Sequence, residues 1–227
     1  MYFISDTIIF DPEYNDPLDI NLISPYKKII FSNYQLNEGI CEAYGNNIFN
    51  NFKWICSKFN QEVVRLPQLL THLTFGYDFN QEVNLLPRQL THLTFGLEFN
   101  KPIIYLPLGI KYLKLDCINS HINSHINSHI NSHIIAQLSS NIEVLELDEY
   151  FNLELNDLPT SVKKIIFNKY SVYNKELNCL PKFVEQIQLP YLYDKQIKNL
   201  PLKLKKVICS TQYKYIKDFN NLEVQTY

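Results

Sequence analysis

Glycine is scarce: five in 227 residues. None falls in a G-x-G-x-x-G or G-x-x-x-x-G-K-S/T string, so the backbone cradles used for dinucleotide and nucleotide phosphates are missing. There is no G-x-S-x-G elbow to present a nucleophilic serine. Arginine occurs only at Arg65 and Arg88, and the net charge is -2. Such a chain offers little to a polyanion, so nucleic acid is not an expected partner. The five cysteines, Cys41, Cys56, Cys117, Cys179 and Cys209, are odd in number, widely spaced and without a C-x-x-C pair. That excludes a disulfide framework or zinc knuckle and points to reduced thiols. No apolar run is long enough to cross a bilayer. The opening MYFISDTIIFDPEYNDP lacks a basic region, and Asp6, Asp11 and Glu13 interrupt its apolar residues. It does not read as a signal peptide, and a soluble intracellular protein is expected.

What the chain does have is 46% hydrophobic residues, enough for a substantial core, and a repeat. LPQLLTHLTFGYDFNQEVNL (66–85) is followed at once by LPRQLTHLTFGLEFNKPIIY (86–105). Counted from the leucine of Leu-Pro, units begin at Leu66, Leu86, Leu106, Leu158, Leu180 and Leu200, and Leu138 opens another in which Ser139 replaces the proline. The intervals are 20, 20, 32, 20, 22 and 20 residues. A fixed period of this size is the signature of a solenoid, whose units bury their apolar faces only against one another.

Within a unit the apolar positions are 1, 5, 8, 10, 14 and 18, as in Leu66, Leu70, Leu73, Phe75, Phe79 and Val83. Positions 8 and 10 alternate with polar residues, the period of a strand with one buried face. The spacing therefore predicts short parallel strands stacked about 4.8 Å apart, with positions 7, 9 and 11 facing outward as rows. Position 11, Gly76, Gly96, Asp116, Asp148, Asn168, Pro190 and Ser210, suits a chain leaving a strand; Gly or Asn could adopt positive φ there, but Pro190 shows this is not obligatory. Proline at position 2 suits an extended connection. Position 15, Asn15, Asn37, Asn60, Asn80, Asn100, Asn152, Asn174 and then Asp194, is read as a buried ladder that satisfies backbone groups in the bend.

Upstream the repeat weakens. LISPYKKIIF from Leu22 is close to LPTSVKKIIF from Leu158, YNDPL (14–18) stands where FNQEV stands at 79–83, and a further FNQEV at 59–63 closes a unit whose first half, around Asn46 to Trp54, departs from the pattern. The reading is one domain, 1–227, of about nine or ten units: degenerate over 1–57, clear over 58–210, with an INSH insertion at 118–134 and a terminal unit or cap at 211–227. The fold class is mainly β, a parallel β solenoid with coils of about 20 residues and little helix.

The string L-P-x-x-L-x-x-L-x-F-G-x-x-F-N-Q at 66–81 and 86–101, with Lys101 in place of the second Gln, resembles the FNIP repeat, a relative of leucine-rich repeats. That family is abundant in amoebae such as Dictyostelium and in giant DNA viruses that infect amoebae. The resemblance implies a leucine-rich-repeat-like solenoid that binds a protein, an amoebal host protein in the host cytoplasm if the chain is viral, with no cofactor. Viral relatives often join such repeats to an N-terminal F-box. Here the repeat is already visible in TIIFDPEYNDPL, so the chain reads as the recognition half alone.

The remaining chemistry is sparse. INSHINSHINSHINSHI (118–134) is an expansion inside one coil, and helical spacing would put His121, His125, His129 and His133 on one stripe. Asn and Ser are poor helix formers and no carboxylate lies within the tract, so an extruded loop is the plainer reading and metal ligation the sharper one. His72 and His92 share a repeat position and should sit side by side, as repeat duplication alone would place them. Asp148-Glu149 reads as a solvated pair, and Cys209 at inward position 10 as a core substitute for Phe. No catalytic set emerges. The exposed ribbon is the candidate binding surface: His72 and Thr74, His92 and Thr94, Tyr112 and Lys114, Val144 and Glu146, Lys164 and Ile166, Gln186 and Gln188, Lys206 and Ile208. Tyr112, Ile166 and Ile208 are apolar where the pattern calls for polar residues, a mark of a contact surface that drift among duplicates would also leave. Residues 1–159 hold 9 basic and 18 acidic side chains and residues 160–227 hold 12 and 5, so the molecule is polarised along its length. A functionless paralogue in an expanding gene set is the competing reading.

Overall fold

The computed structural model describes residues 1–33, 56–99, 101, 103, 105–115, 138, 141–147, 149 and 151–227. Within them, positions 7 to 10 of each unit are extended, because β-branched and aromatic side chains alternate there with polar ones that tolerate solvent. The strands are β1 Tyr2–Ile4, β2 Thr7–Phe10, β3 Lys28–Phe31, β4 His72–Thr74, β5 His92–Phe95, β6 Tyr112–Leu115, β7 Val144–Leu147, β8 Lys164–Phe167, β9 Gln186–Gln188, β10 Lys206–Cys209 and β11 Glu223–Thr226. They form one sheet in chain order. β1 is antiparallel to β2, and β2 to β11 run parallel. The described helical segments are one turn, α1 Ile20–Ile23, capped by the Asp19 carboxylate on the Asn21 N–H, and a 3-10 turn at Ile216–Phe219. The protein is a parallel β solenoid with almost no helix, as the period predicts.

Proline at position 2 opens a tight turn instead of an extended connection. The carbonyls of Pro67, Pro87, Pro107, Pro159, Pro181 and Pro201 each accept from the N–H three residues on, at 3.0–3.1 Å. This turn places position 5 (Leu70, Leu90, Ile110, Val162, Val184, Leu204) in the core, and the proline's missing donor falls where no ladder bond is required.

Two aromatic columns run down the interior. At position 10, Phe10, Phe31, Phe75 and Phe95 lie 5.0, 5.9 and 5.7 Å apart in succession. At position 14, Phe59, Phe79 and Phe99 lie 6.0 and 6.1 Å apart. Each ring also meets its partner in the other column, Phe75 with Phe79 at 3.7 Å and Phe95 with Phe99 at 4.0 Å. In later coils tyrosine takes position 14: Tyr193 and Tyr213 send their hydroxyls to the carbonyls of Lys175 and Lys195 at 3.1 and 2.7 Å. Cys209 ends the position-10 column fully buried, and burial pushes its thiol pKa up, away from the thiolate that reacts.

The same contacts revise the N-terminal register. Phe31 stacks on Phe59 at 3.9 Å, the pairing made elsewhere by residues four apart, and β3 pairs directly with β4, Lys28 against His72. Residues 59–63 therefore complete the coil opened at Leu22, and no separate strand-bearing unit comes between. The expected unit around Asn46 to Trp54, and Asn37 as a ladder member, lie outside the described residues. The rung after Asn15 is Asn60, whose N–H donates to the Asn15 Oδ1 at 2.9 Å. The INSH interval behaves as expected at its boundaries: β6 pairs directly with β7, Tyr112 against Val144, so the 20-residue frame resumes after it. The tract itself, with His121, His125, His129 and His133, lies outside the described residues.

The asparagine ladder exists but is not buried. Asn80 N–H donates to Asn60 Oδ1 at 2.9 Å and Asp194 N–H to Asn174 Oδ1 at 3.4 Å, yet Asn60 and Asn80 are half-buried and Asn15 and Asn174 exposed. At these rungs the bend is a surface corner, so water competes for the amides, whereas the Oδ1 of Asn152 is buried and accepts no hydrogen bond and Asn100 lies outside the described residues. Position 11 departs in the opposite sense at four residues: Gly76, Gly96, Pro190 and Ser210 are buried, not outward, while Asn168 is half-buried and Asp116 and Asp148 lie outside the described residues. The two glycines are there for close approach and not for positive φ. A Cβ on Gly96 would land on the carbonyl of Gly76, and one on Gly76 would land on the Ser57 side chain.

Candidate binding face

The parallel register brings all the ribbon residues onto one face in two rows. Position 7 runs Lys28, His72, His92, Tyr112, Val144, Lys164, Gln186, Lys206, and position 9 runs Ile30, Thr74, Thr94, Lys114, Glu146, Ile166, Gln188, Ile208. Lys164 is exposed and the rest are half-buried, since neighbours one strand away shield each side chain. Of the third expected row, position 11, Gly76, Gly96, Pro190 and Ser210 are buried and Asn168 is half-buried like most of the other two rows.

At its centre the ribbon is aromatic. The His72 and His92 rings stack at 4.0 Å with an 11° tilt, and His92 continues onto Tyr112 at 5.4 Å. Thr71 and Thr91 set the imidazole tautomers. Each hydroxyl gives its proton to a carbonyl of the preceding coil, Lys27 at 3.1 Å and Thr71 at 3.0 Å. Towards Nδ1 of the adjacent histidine, 2.8 and 2.9 Å away, the hydroxyl oxygen can then only accept. This arrangement favours the Nδ1–H tautomer in both rings. Beside them, Tyr112 donates its hydroxyl to Glu146, and Glu146 also pairs with Lys114 at 3.2 Å. At the C-terminal end Lys206 meets Glu223 at 2.7 Å.

Burial lowers the pKa of both histidines. For His72 the His92 ring and then Lys28 add to the effect, with Asp6 opposing; for His92 Lys28 adds. The sign follows from linkage. With folded pKa values below the unfolded one, the neutral pair's contribution is complete above about pH 6.5 and is lost as pH falls through that value towards the folded pKa values. Thermal melts between neutral and mildly acidic pH are expected to show a falling Tm that is flattened in the His72→Gln/His92→Gln variant. An equal pH slope in both proteins would rule the stack out as the cause. The carboxylates with lowered pKa, Glu143 and Glu185, act below this window.

A row that the sequence reading passed over lies beside the ribbon. Position 6 reads Lys111, Glu143, Lys163, Glu185, Lys205, and the structure joins them as Lys111–Glu143 at 3.4 Å, Lys163–Glu143 at 2.8 Å and Lys205–Glu185 at 2.8 Å. The hydrogen bond to Lys163 holds the Glu143 carboxyl below its usual range, and that to Lys205 does the same for Glu185. Alternation of sign at the repeat period was the available signal. These pairs are solvated and contribute little stability. Also unforeseen is the Leu-Pro edge, where Leu69, Leu85, Tyr105 and Leu108 are 66–75% exposed and Arg65 and Arg88 line one shallow groove. Among the described residues no three His, Cys, Asp or Glu side chains converge on a point where a metal could sit. No described helix is long and apolar enough to cross a membrane.

The repeat and its coil geometry can now be set against known proteins. The family model of the FNIP repeat matches residues 59–98 and 82–117, which hold β4, β5 and β6 with their turns. Residues 59–117 are FNIP-type, leucine-rich-repeat-like repeats. It is similar in structure to CroV588 of the giant virus CroV, described as a novel circular leucine-rich-repeat protein, with a TM-score of 0.56 and 28% identity over 92% of this chain. That match takes in 34% of CroV588, so the chain spans about a third of its neighbour's length. No curated protein matches. The FNIP signature residues fall at the buried positions 1, 5, 8, 10 and 14 and at the position-15 rungs, so the family resemblance is carried by the scaffold and not by the ribbon.

Proposed function

We propose that this FNIP solenoid is a non-enzymatic scaffold that binds a protein partner through its strand ribbon. The observation that carries the reading is the contrast between two sets of positions on the same strands. From β2 to β10 positions 8 and 10 keep to apolar side chains, whereas positions 7 and 9 change chemistry along the ribbon, from imidazole and threonine through a Tyr-Lys-Glu cluster to lysine, glutamine and isoleucine. Variation on a constant, rigid frame is how solenoids present an extended recognition surface. Ile166 and Ile208 are only half-buried on this face and supply apolar contact, while the lysine excess beyond residue 160 favours an acidic patch on the partner and acts chiefly on association rate. For a virus-encoded chain the partner is an amoebal host protein, met in the host cytoplasm.

The test is affinity capture from amoebal lysate with mass spectrometry, comparing the unmodified chain with a Tyr112→Ser/Ile166→Ser/Ile208→Ser variant shown to be folded by circular dichroism. One host protein enriched by the former and lost from the latter supports ribbon recognition. A protein retained equally by both places binding elsewhere, and no retained protein in either favours the functionless paralogue.

A further inference from the structure

The two ends of the sheet are complementary to each other in three respects, and none of these bears on the ribbon. The first is charge. Residues 1–26 carry Asp6, Asp11, Glu13, Asp16 and Asp19 and no lysine or arginine, whereas residues 195–217 carry seven lysines and no carboxylate. Internal pairing leaves much of this unspent: Asp16 is exposed with no ion-pair partner among the described residues, and so are Lys198, Lys203, Lys214 and Lys217. The second is backbone. β1 and β11 are the sheet's two terminal strands, and every residue of both is exposed. An edge of this kind presents unpaired N–H and C=O groups to another strand. Because β1 alone runs against the others, β11 of one copy would meet β1 of the next as an antiparallel pair, the pairing with the better hydrogen-bond geometry. The third is apolar surface. Phe3 is in register with Ile8, and Val224 with Val207, so both continue the core column of position 8, yet Phe3 is 53% and Val224 36% exposed.

We infer that copies of this chain associate head to tail, the β11 end of one docking on the β1 end of the next. This goes beyond the partner-binding reading and stands or falls independently of it. The joint extends the parallel sheet by an antiparallel step, covers Val224 with Phe3, and sets the lysine-rich last coils against the carboxylates of the first. Such a heterologous contact closes into a ring or runs on as a filament, according to the rotation per copy.

The experiment is native mass spectrometry and light scattering on the unmodified chain and two charge-reversed forms, Lys203→Glu/Lys214→Glu/Lys217→Glu at the tail and Glu13→Lys/Asp16→Lys at the head. The unmodified chain is expected to form species beyond the dimer at low salt and to fall back towards monomer as salt screens the ends. Each reversed form alone removes most of the charge difference across the joint and places some like charges opposite one another, and it is expected to associate at least about tenfold more weakly. Mixed, the two forms restore opposite charges at both kinds of joint and are expected to reassemble, which also shows that both are folded. An unmodified chain that stays monomeric throughout, a symmetric dimer that stops at two copies, or association unaltered by either reversal overturns the proposal.

Discussion

Replacing Phe79 by alanine is expected to cost about 3–5 kcal/mol of stability, near the limit for a single core truncation. The side chain is fully buried and has three aromatic neighbours: Phe75 at 3.7 Å across the coil, Phe59 at 6.0 Å and Phe99 at 6.1 Å along the column. Its loss leaves a ring-sized gap that rigid neighbouring coils cannot collapse to fill. A solenoid is held by contacts between adjacent coils, so one truncation weakens two interfaces at once. Urea unfolding of Phe79→Ala beside Leu69→Ala, which truncates a side chain 66% exposed on the Leu-Pro edge, is the check. The surface variant is expected within about 0.5 kcal/mol of the unmodified chain. Similar shifts for the two would mean that the aromatic columns are not the spine of the fold.

The second large effect comes from adding a single methyl group. Gly96→Ala would improve stability by about 0.4–1 kcal/mol if the glycine were merely a flexible residue in ordinary φ, because alanine reduces the entropy of the unfolded chain. The structure predicts the opposite sign. The new Cβ would land on the carbonyl of Gly76, in the coil directly beneath, with the Tyr77 nitrogen only 3.0 Å away. Backbone anchored by the strand that precedes it cannot step aside as a side chain can, so a loss of about 3 kcal/mol is expected, the upper part of the range for overpacking. A raised urea midpoint would show that the coils can separate at this corner and that the glycine is not there for close approach.

Much of the scaffold was legible without coordinates. The repeat interval specified the coil, alternation at positions 7 to 10 specified the strand and its inward face, and equal spacing in successive units implied parallel stacking. Cys209 followed from its position alone. Other features misled for identifiable reasons. The rung that bonds Asn15 is Asn60, 45 residues on, and sequence distance cannot show which Phe stacks on Phe31. At Gly76, Gly96, Pro190 and Ser210, position 11 looked outward because strand alternation was extended one residue too far. The chain turns there, and turning brings Gly96 over Gly76. The position-6 charge row was overlooked because one lysine or glutamate per unit looks like an ordinary solvated residue until its neighbour in the next coil is placed beside it.

The sequence by itself determined the repeat length, the buried positions, the strand segments and the FNIP character, because each depends on a pattern local to one unit and copied into the next. Only the tertiary structure decided which unit closes at residues 59–63, which glycines are required, how the two histidines are oriented, and that the sheet ends in edges of opposite charge. Those depend on distances between coils, and the same 20-residue pattern is compatible with many such arrangements until stacking selects one.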